Sequence, residues 1–202
     1  MSGINMIQSA SCIRFVPRSS ETSYVNIVRG GSGTGCYADV GRQSGRVNTV
    51  NLQYNGCITA GISAHELIHA IGYYHEQSRP DRDDWVTINW GNIQSGEFRT
   101  YFVKNFPDAW FMLNERLFLF FRLFIGRSFN FDKYTTSQVS SFGVPYDYDS
   151  VMHYSAYAFA VNTNTPTIYP RNTAVAYSRL GQRSALSSYD GQKINAMYSG
   201  IC

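Results

Sequence analysis

Charged side chains are scarce in this chain, only 15% of its 202 residues, and they nearly balance at a net charge of +3. There is no basic patch with interleaved aromatics, so nucleic acid is not expected as a partner. No uncharged apolar run reaches the roughly 18 residues that a bilayer crossing needs, so no transmembrane span is expected. Residues 1–10 carry neither a basic leader nor an apolar stretch behind it, and the start does not read as a secretory signal. Cys-x-x-Cys is absent, which removes a zinc ribbon. The glycine-rich stretch Arg29–Gly35 has no Lys-Ser/Thr and no strand-to-helix context, so it is not a phosphate loop. Composition also excludes a coiled coil, a collagen-like chain and a low-complexity tail.

Hydrophobic residues make up 44% of the chain and aromatics 15%, enough for a packed core. The length fits one domain. Short β-rich runs stand at Cys12–Val16, Tyr24–Val28 and Thr49–Gln53. Between Ile58 and Ile71 the period changes: Ile58, Ile62, Ile68 and Ile71, with Leu67, recur at helical spacing. Thr59 is the expected N-cap of that helix and Gly72 its stop. A last helix is expected from Ser187 to about Tyr198, with Ser187 and Asp190 forming a capping-box pair. The rest of the C-terminal half reads as irregular. The four cysteines, Cys12, Cys36, Cys57 and Cys202, suit two disulfides, for which three connectivities exist. Four reduced core cysteines are the other reading.

Ten of the thirteen phenylalanines crowd between Phe98 and Phe131. Within that stretch Trp110–Ile125 is apolar at 12 of 16 positions, broken by Asn114, Glu115, Arg116 and Arg122. It follows neither a helical stripe nor a strand alternation.

Three of the four histidines stand in His65-Glu66-Leu67-Ile68-His69-Ala70-Ile71-Gly72-Tyr73-Tyr74-His75. Positions i and i+4 share a helix face, so His65 and His69 can turn two imidazoles toward one metal. A third ligand on the same face would be collinear with them, which suits a tetrahedron poorly. Gly72 ends the helix and lets His75 approach from another direction. Three neutral nitrogen ligands and one open position describe a catalytic zinc site rather than a structural one. Glu66 sits beside the metal, not on it, where its carboxylate can take a proton from water activated by zinc. Coincidence of all these positions is on the order of one in a million per chain at ordinary residue frequencies.

The extended motif resembles that of the metzincin proteases. The continuation His75-Glu76-Gln77-Ser78-Arg79-Pro80-Asp81-Arg82-Asp83 and the Met-turn stretch Tyr146–Tyr154 resemble the astacin family in particular. So do Cys12–Phe15, Gly35-Cys36 with Val40-Gly41-Arg42, and Leu186-Ser187 with Asp190. The resemblance implies a metzincin-type α+β fold of two subdomains. A twisted, mostly parallel sheet and the zinc helix would form the N-terminal half, and an irregular C-terminal half would be closed by a helix. It implies His65, His69 and His75 as ligands of one zinc ion, Glu66 as base, and Met152 as the apolar floor under the histidines. Tyr154 would be a weak further ligand that swings away to stabilise the oxyanion. His153 would be structural. The disulfides would be Cys12–Cys202 and Cys36–Cys57, which points to an oxidising, extracellular setting. Cys36 and Tyr37 would lie at the cleft edge, where an extended protein or peptide substrate adds as a strand. The activity implied is a secreted, monomeric zinc endopeptidase.

Two departures from the family pattern set further expectations. The chain begins about thirty residues short of the family's mature start, with Gly3–Ser11 corresponding to the tail of its first helix. The family's buried amino terminus lies near Glu76, so Glu76 would here be a buried carboxylate without its partner. The Asn130–Tyr134 element follows Ile93 about thirty residues late, which makes 97–128 an insertion or translated non-coding sequence; its missing periodicity favours the latter. The alternative to an enzyme is a catalytically impaired zinc-binding fragment, or an interaction protein acting through the Phe-rich segment.

Overall fold

The computed structural model describes residues 2–95 and 126–202. The Phe-rich stretch around 97–128 therefore lies almost wholly outside the described residues. Helix α1 (Ser2–Ala10) corresponds to the expected helix tail, and its Ile7 is completely buried. Strands β1 (Val25–Gly30), β2 (Cys36–Ala38) and β3 (Asn48–Gln53) form one sheet in the order β1-β3-β2. β1 runs parallel to β3 along its whole length, whereas the short β2 is antiparallel to β3. The sheet is thus mixed, with its parallel character carried by the longer pair.

The run Cys12–Val16, expected as a strand, forms none. Cys12 N–H donates to Asn195 Oδ1 at 2.8 Å and Phe15 N–H to Gln8 Oε1 at 2.9 Å. Side-chain acceptors occupy the donors that a neighbouring strand would have taken.

Helix α2 (Ala60–Ile71) starts at the expected cap, where Thr59 Oγ1 accepts from Ile62 N–H at 3.4 Å. Ile58 precedes the cap and is exposed, so the buried surface is not the isoleucine stripe that spacing suggested. It is instead the unbroken run Ala64–Ile71, buried on every side. Each fully buried Leu or Ile there contributes at most about 1.5–3 kcal/mol. Two glycines shape this helix. Gly61 lets the backbone of Arg183 approach so closely that a Cβ would lie 1.7 Å from its carbonyl oxygen. Gly72 ends the helix at φ +122°, outside the range of most side chains, and its N–H donates to His69 O at 2.8 Å.

Beyond Gly72 the chain is held mainly by short turns. Single-turn 3-10 helices stand at Glu76–Ser78, Arg82–Asp84, Trp90–Asn92, Arg127–Phe131 and Tyr177–Arg179. Strands β4 (Val86–Ile88) and β5 (Ile168–Pro170) pair antiparallel, a small sheet that no sequence pattern announced. Helix α3 (Ser188–Met197) opens with the expected capping box: Ser187 Oγ accepts from Asp190 N–H at 2.9 Å, and Asp190 Oδ2 accepts from Ser187 N–H at 3.0 Å. The disulfides pair Cys12 with Cys202 and Cys36 with Cys57, as the resemblance implied.

Two apolar cores result among the described residues. One joins α1, β3, α2 and α3 through Ile7, Val50, Leu67, Ile68 and Ile194, and it also takes in Val151 and Met152. The other gathers Val86, Ile88, Phe131, Tyr146 and Ile168, with Tyr154 packed against it. The three histidines lie where these two cores meet. No helix among the described residues is long and apolar enough to cross a membrane.

Candidate metal centre

His65 and His69 project from α2, one helical turn apart, and His75 returns after the Gly72 turn. Their ligand atoms all lie within 4.8 Å of one another. His69 Nε2 is 3.2 Å from His75 Nε2, which is 3.3 Å from His65 Nε2. The far side of two rings is fixed by backbone carbonyls. His65 Nδ1 donates to Val151 O at 2.7 Å and His69 Nδ1 to Tyr73 O at 2.6 Å. Those bonds place the ring protons on Nδ1 and leave Nε2 as a lone pair on each.

His75 Nε2 stands opposite both lone pairs, the place a third nitrogen ligand takes around one cation. Zinc–nitrogen bonds of about 2.0–2.1 Å in a tetrahedron put neighbouring nitrogens about 3.3 Å apart. The distances present match that edge, so the triad fits zinc. Charge agrees with this. Burial holds His69 down at a pKa of about 4, against the opposing bond to Tyr73 O. Burial, then the neighbouring imidazoles, hold His65 and His75 well below the usual range. The rings are neutral near pH 7, as metal ligands must be.

Glu66 is buried on the same helix, and burial raises its carboxyl to a pKa of about 7 against the opposing charge of Arg183. Tyr154 packs its ring against His75 with centroids 4.4 Å apart. Burial raises its phenol to a pKa of about 12. Met152 is buried in the core beneath α2, and its carbonyl accepts from Glu76 N–H at 3.1 Å. His153 is fully buried, between Tyr146 Oη at 2.7 Å from Nε2 and Tyr154 O at 2.7 Å from Nδ1, a structural position. Cys36 and Tyr37 lie on β2 at the sheet edge, with Tyr37 about half exposed.

One expectation is corrected. Glu76 is buried but not partnerless. Its Oε1 accepts from Asp147 N–H at 2.9 Å and from Arg79 at 3.1 Å, and its Oε2 lies 2.6 Å from Lys193 Nζ. Arg79, three residues on, and Lys193 from α3 supply the cations that satisfy the carboxylate.

Several residues of the site carry no motif that sequence reasoning could have used. Arg183 is a lone arginine in an irregular stretch, yet its guanidinium donates to His153 O at 3.1 Å and its charge acts on Glu66, Tyr154 and all three histidines. Asp190 does more than cap α3. It also accepts from Ser150 Oγ at 2.6 Å and Val151 N–H at 3.0 Å, which fixes the turn whose carbonyl holds His65. A cavity of about 480 Å³ opens beside His75; it is lined by His75, Glu76, Arg79 and Lys193 among others, and by neither Glu66 nor Tyr154.

Comparison with known proteins agrees with this geometry. The family model for Astacin, a peptidase family, matches residues 1–111 and 123–199. Zinc metalloproteinase nas-14 of Caenorhabditis elegans is 37% identical over 191 residues, which are 95% of this chain and 31% of that protein. High choriolytic enzyme 1 of the medaka Oryzias latipes is 35% identical over 190 residues, 94% of this chain and 56% of that protein. The solved structure of that hatching-enzyme zinc protease superposes with a TM-score of 0.74 at 31% identity, covering 98% of this chain and 79% of that one. The chain thus spans about a third of the length of the nematode relative. With its three histidines converging at zinc-ligand spacing and the family's motifs matched along nearly its whole length, the chain belongs to the astacin family of peptidases.

Proposed function

We propose that this chain is a zinc-dependent metalloendopeptidase domain that hydrolyses peptide bonds in extended protein substrates. The observation that carries the reading is the convergence of three imidazole Nε2 atoms beside the buried Glu66. His65, His69 and His75 would hold one zinc ion, which when bound supplies Lewis acidity to the scissile carbonyl and to a water. Glu66 accepts that water's proton and passes it to the leaving amine. Tyr154, its ring packed at a tilt against His75, donates a hydrogen bond from its phenol to the oxyanion. Met152 forms the apolar floor under the ligands. The outer edge of β2, unpaired among the described residues, takes the substrate as an added strand beside Tyr37.

The likeness to the medaka hatching enzyme supports a two-subdomain metzincin arrangement, residues 1–202 forming one catalytic domain with 97–128 as its atypical part. Action as a monomer is part of this proposal. The two disulfides support secretion.

The test is casein cleavage by the zinc-loaded chain, beside Glu66→Gln and a chelator control. Glu66→Gln is expected to lower kcat/KM by roughly 10²–10⁴ while zinc stays bound. Zinc bound at one per chain with no cleavage by the parent would mean a non-enzymatic zinc protein.

A further inference from the structure

Glu76 follows the third histidine directly, and what holds Glu76 holds His75. Its N–H donates to Met152 O at 3.1 Å, and its Oε1 takes Asp147 N–H and Arg79. Among the described residues one group meets its Oε2: Lys193 Nζ at 2.6 Å, from α3 and 117 residues further along. Both side chains are nearly sealed from water, at 7% and 6% exposure. A buried ion pair of this kind gains little net stability over an apolar pair, so geometry is its better-attested use. The backbone of Lys193 has a second link. Tyr73 Oη donates to Lys193 O at 2.5 Å, and Tyr73 O is the acceptor that orients His69. One residue of α3 is therefore joined to His75 through Glu76 and to His69 through Tyr73.

We propose that Lys193 is a positioning residue for the metal centre, its ammonium group clamping Glu76 so that His75 closes the triad. The clamp is built within this chain from α3. It rests on reading the triad as a zinc site. Outer-shell partners of metal ligands typically change metal affinity or activity by 10–100-fold, and the same scale applies here.

The experiment measures zinc dissociation constants by chelator competition, with kcat, KM and thermal unfolding, on the full chain. The parent comes first: no zinc binding there would overturn both the metalloprotease reading and the clamp. Lys193→Met is expected to weaken zinc about 10–100-fold and to lower kcat with KM within about twofold. Lys193→Arg, which keeps the charge, is expected to restore zinc affinity to within about threefold of the parent. Lys133→Met is the charge-loss control: Lys133 pairs with Asp83 at the surface, and zinc affinity should not change.

The decisive variant is Glu76→Gln combined with Lys193→Met, which leaves no unpaired buried charge and can be read even if Lys193→Met alone does not fold. Zinc affinity still weakened at least about tenfold, with thermal stability close to the parent, supports the clamp. Parental zinc affinity in that double variant overturns it, because the pair would then matter only as two charges to be neutralised.

Discussion

Residues 60–71 form a twelve-residue helix, whereas residues 144–157, which face it across the site, contain neither helix nor strand. Both carry groups that the proposed chemistry would use. On α2 the spacing of His65, Glu66 and His69 follows from the backbone repeat, and an apolar surround holds the helix in place. The turn has no repeat to rely on. Its position is set by single polar groups brought from far along the chain: Asp190 on Ser150 and Val151, Glu76 on Asp147, Gln77 Oε1 on Tyr154 N–H at 3.0 Å. Packing averages over many weak contacts, so the helix should tolerate small changes. A turn held by a few buried charges should not.

The largest expected effects separate chemistry from framework on the helix itself. Glu66 is buried with no ion-pair partner among the described residues, and burial raises its pKa to about 7. Glu66→Gln should therefore abolish most activity yet leave the thermal unfolding midpoint unchanged or higher, since a desolvated carboxylate is replaced by a neutral amide. Calorimetry of the zinc-loaded variant checks this; a lower midpoint would mean that Glu66 also supports α2. Across the site the balance reverses. Asp190→Ala removes the acceptor for Ser150 Oγ, Val151 N–H and Ser187 N–H at once, and should cost on the order of 4 kcal/mol in urea unfolding. It should also weaken zinc, because Val151 O then no longer holds the His65 ring. A loss under about 1 kcal/mol would show that the turn is held by packing after all.

The same contrast explains what could be read from the sequence. The zinc helix, its cap and its stop were legible because they depend on neighbours within a few residues: Thr59 before Ile62, Gly72 after Ile71. Strands β1 and β3 were legible from β-branched runs. The α3 capping box was legible because Ser187 and Asp190 lie three apart. The Lys193–Glu76 pair and the bond from Arg183 to His153 span 117 and 30 residues, and nothing local marks them. Resemblance supplied Tyr154 and Met152; spacing alone did not. The failed strand at Cys12–Val16 has the same origin: its β-rich composition was real, but Gln8 and Asn195 took its backbone donors. Ile58 misled for a related reason, since helical spacing cannot say on which side of the cap the chain becomes exposed.

Helix caps give a smaller, paired test. Thr59 makes a single long bond of 3.4 Å to Ile62 N–H, at the mouth of a helix that packing already holds. Ser187 closes a two-way capping box, and its hydroxyl also reaches Asp147. Thr59→Ala should cost about 0.5–1 kcal/mol and Ser187→Ala about 2 kcal/mol, both read from urea unfolding. Equal losses would mean that both helices depend on their caps alike, against the division between a packed helix and a turn held by polar groups.

The smallest effect isolates burial as the variable. Arg179 grips Asp149 with two bonds, one of them 2.7 Å from Nε to Oδ1, but both side chains are more than 40% exposed. Arg179 holds the Asp149 carboxyl below its ordinary pKa of 3.8, chiefly by hydrogen bonding. A lowered carboxyl pKa means that the unfolded chain binds the proton first. The pair's stabilisation is complete above the ordinary value and is lost as pH falls through the lowered one. Solvent screening limits it to about 0.5–1 kcal/mol, and salt should reduce it further. Urea unfolding of the parent and Arg179→Met at pH 7, in low and high salt, measures the difference, which should shrink as salt rises. The Lys193–Glu76 pair is made of the same kinds of group at a similar distance, yet it is sealed from water. Its effects should hardly respond to salt, because ions cannot reach the space between its charges. If the two pairs respond alike, exposure is not what separates a surface contact from a clamp. The turn's dependence on buried charge would then need another cause.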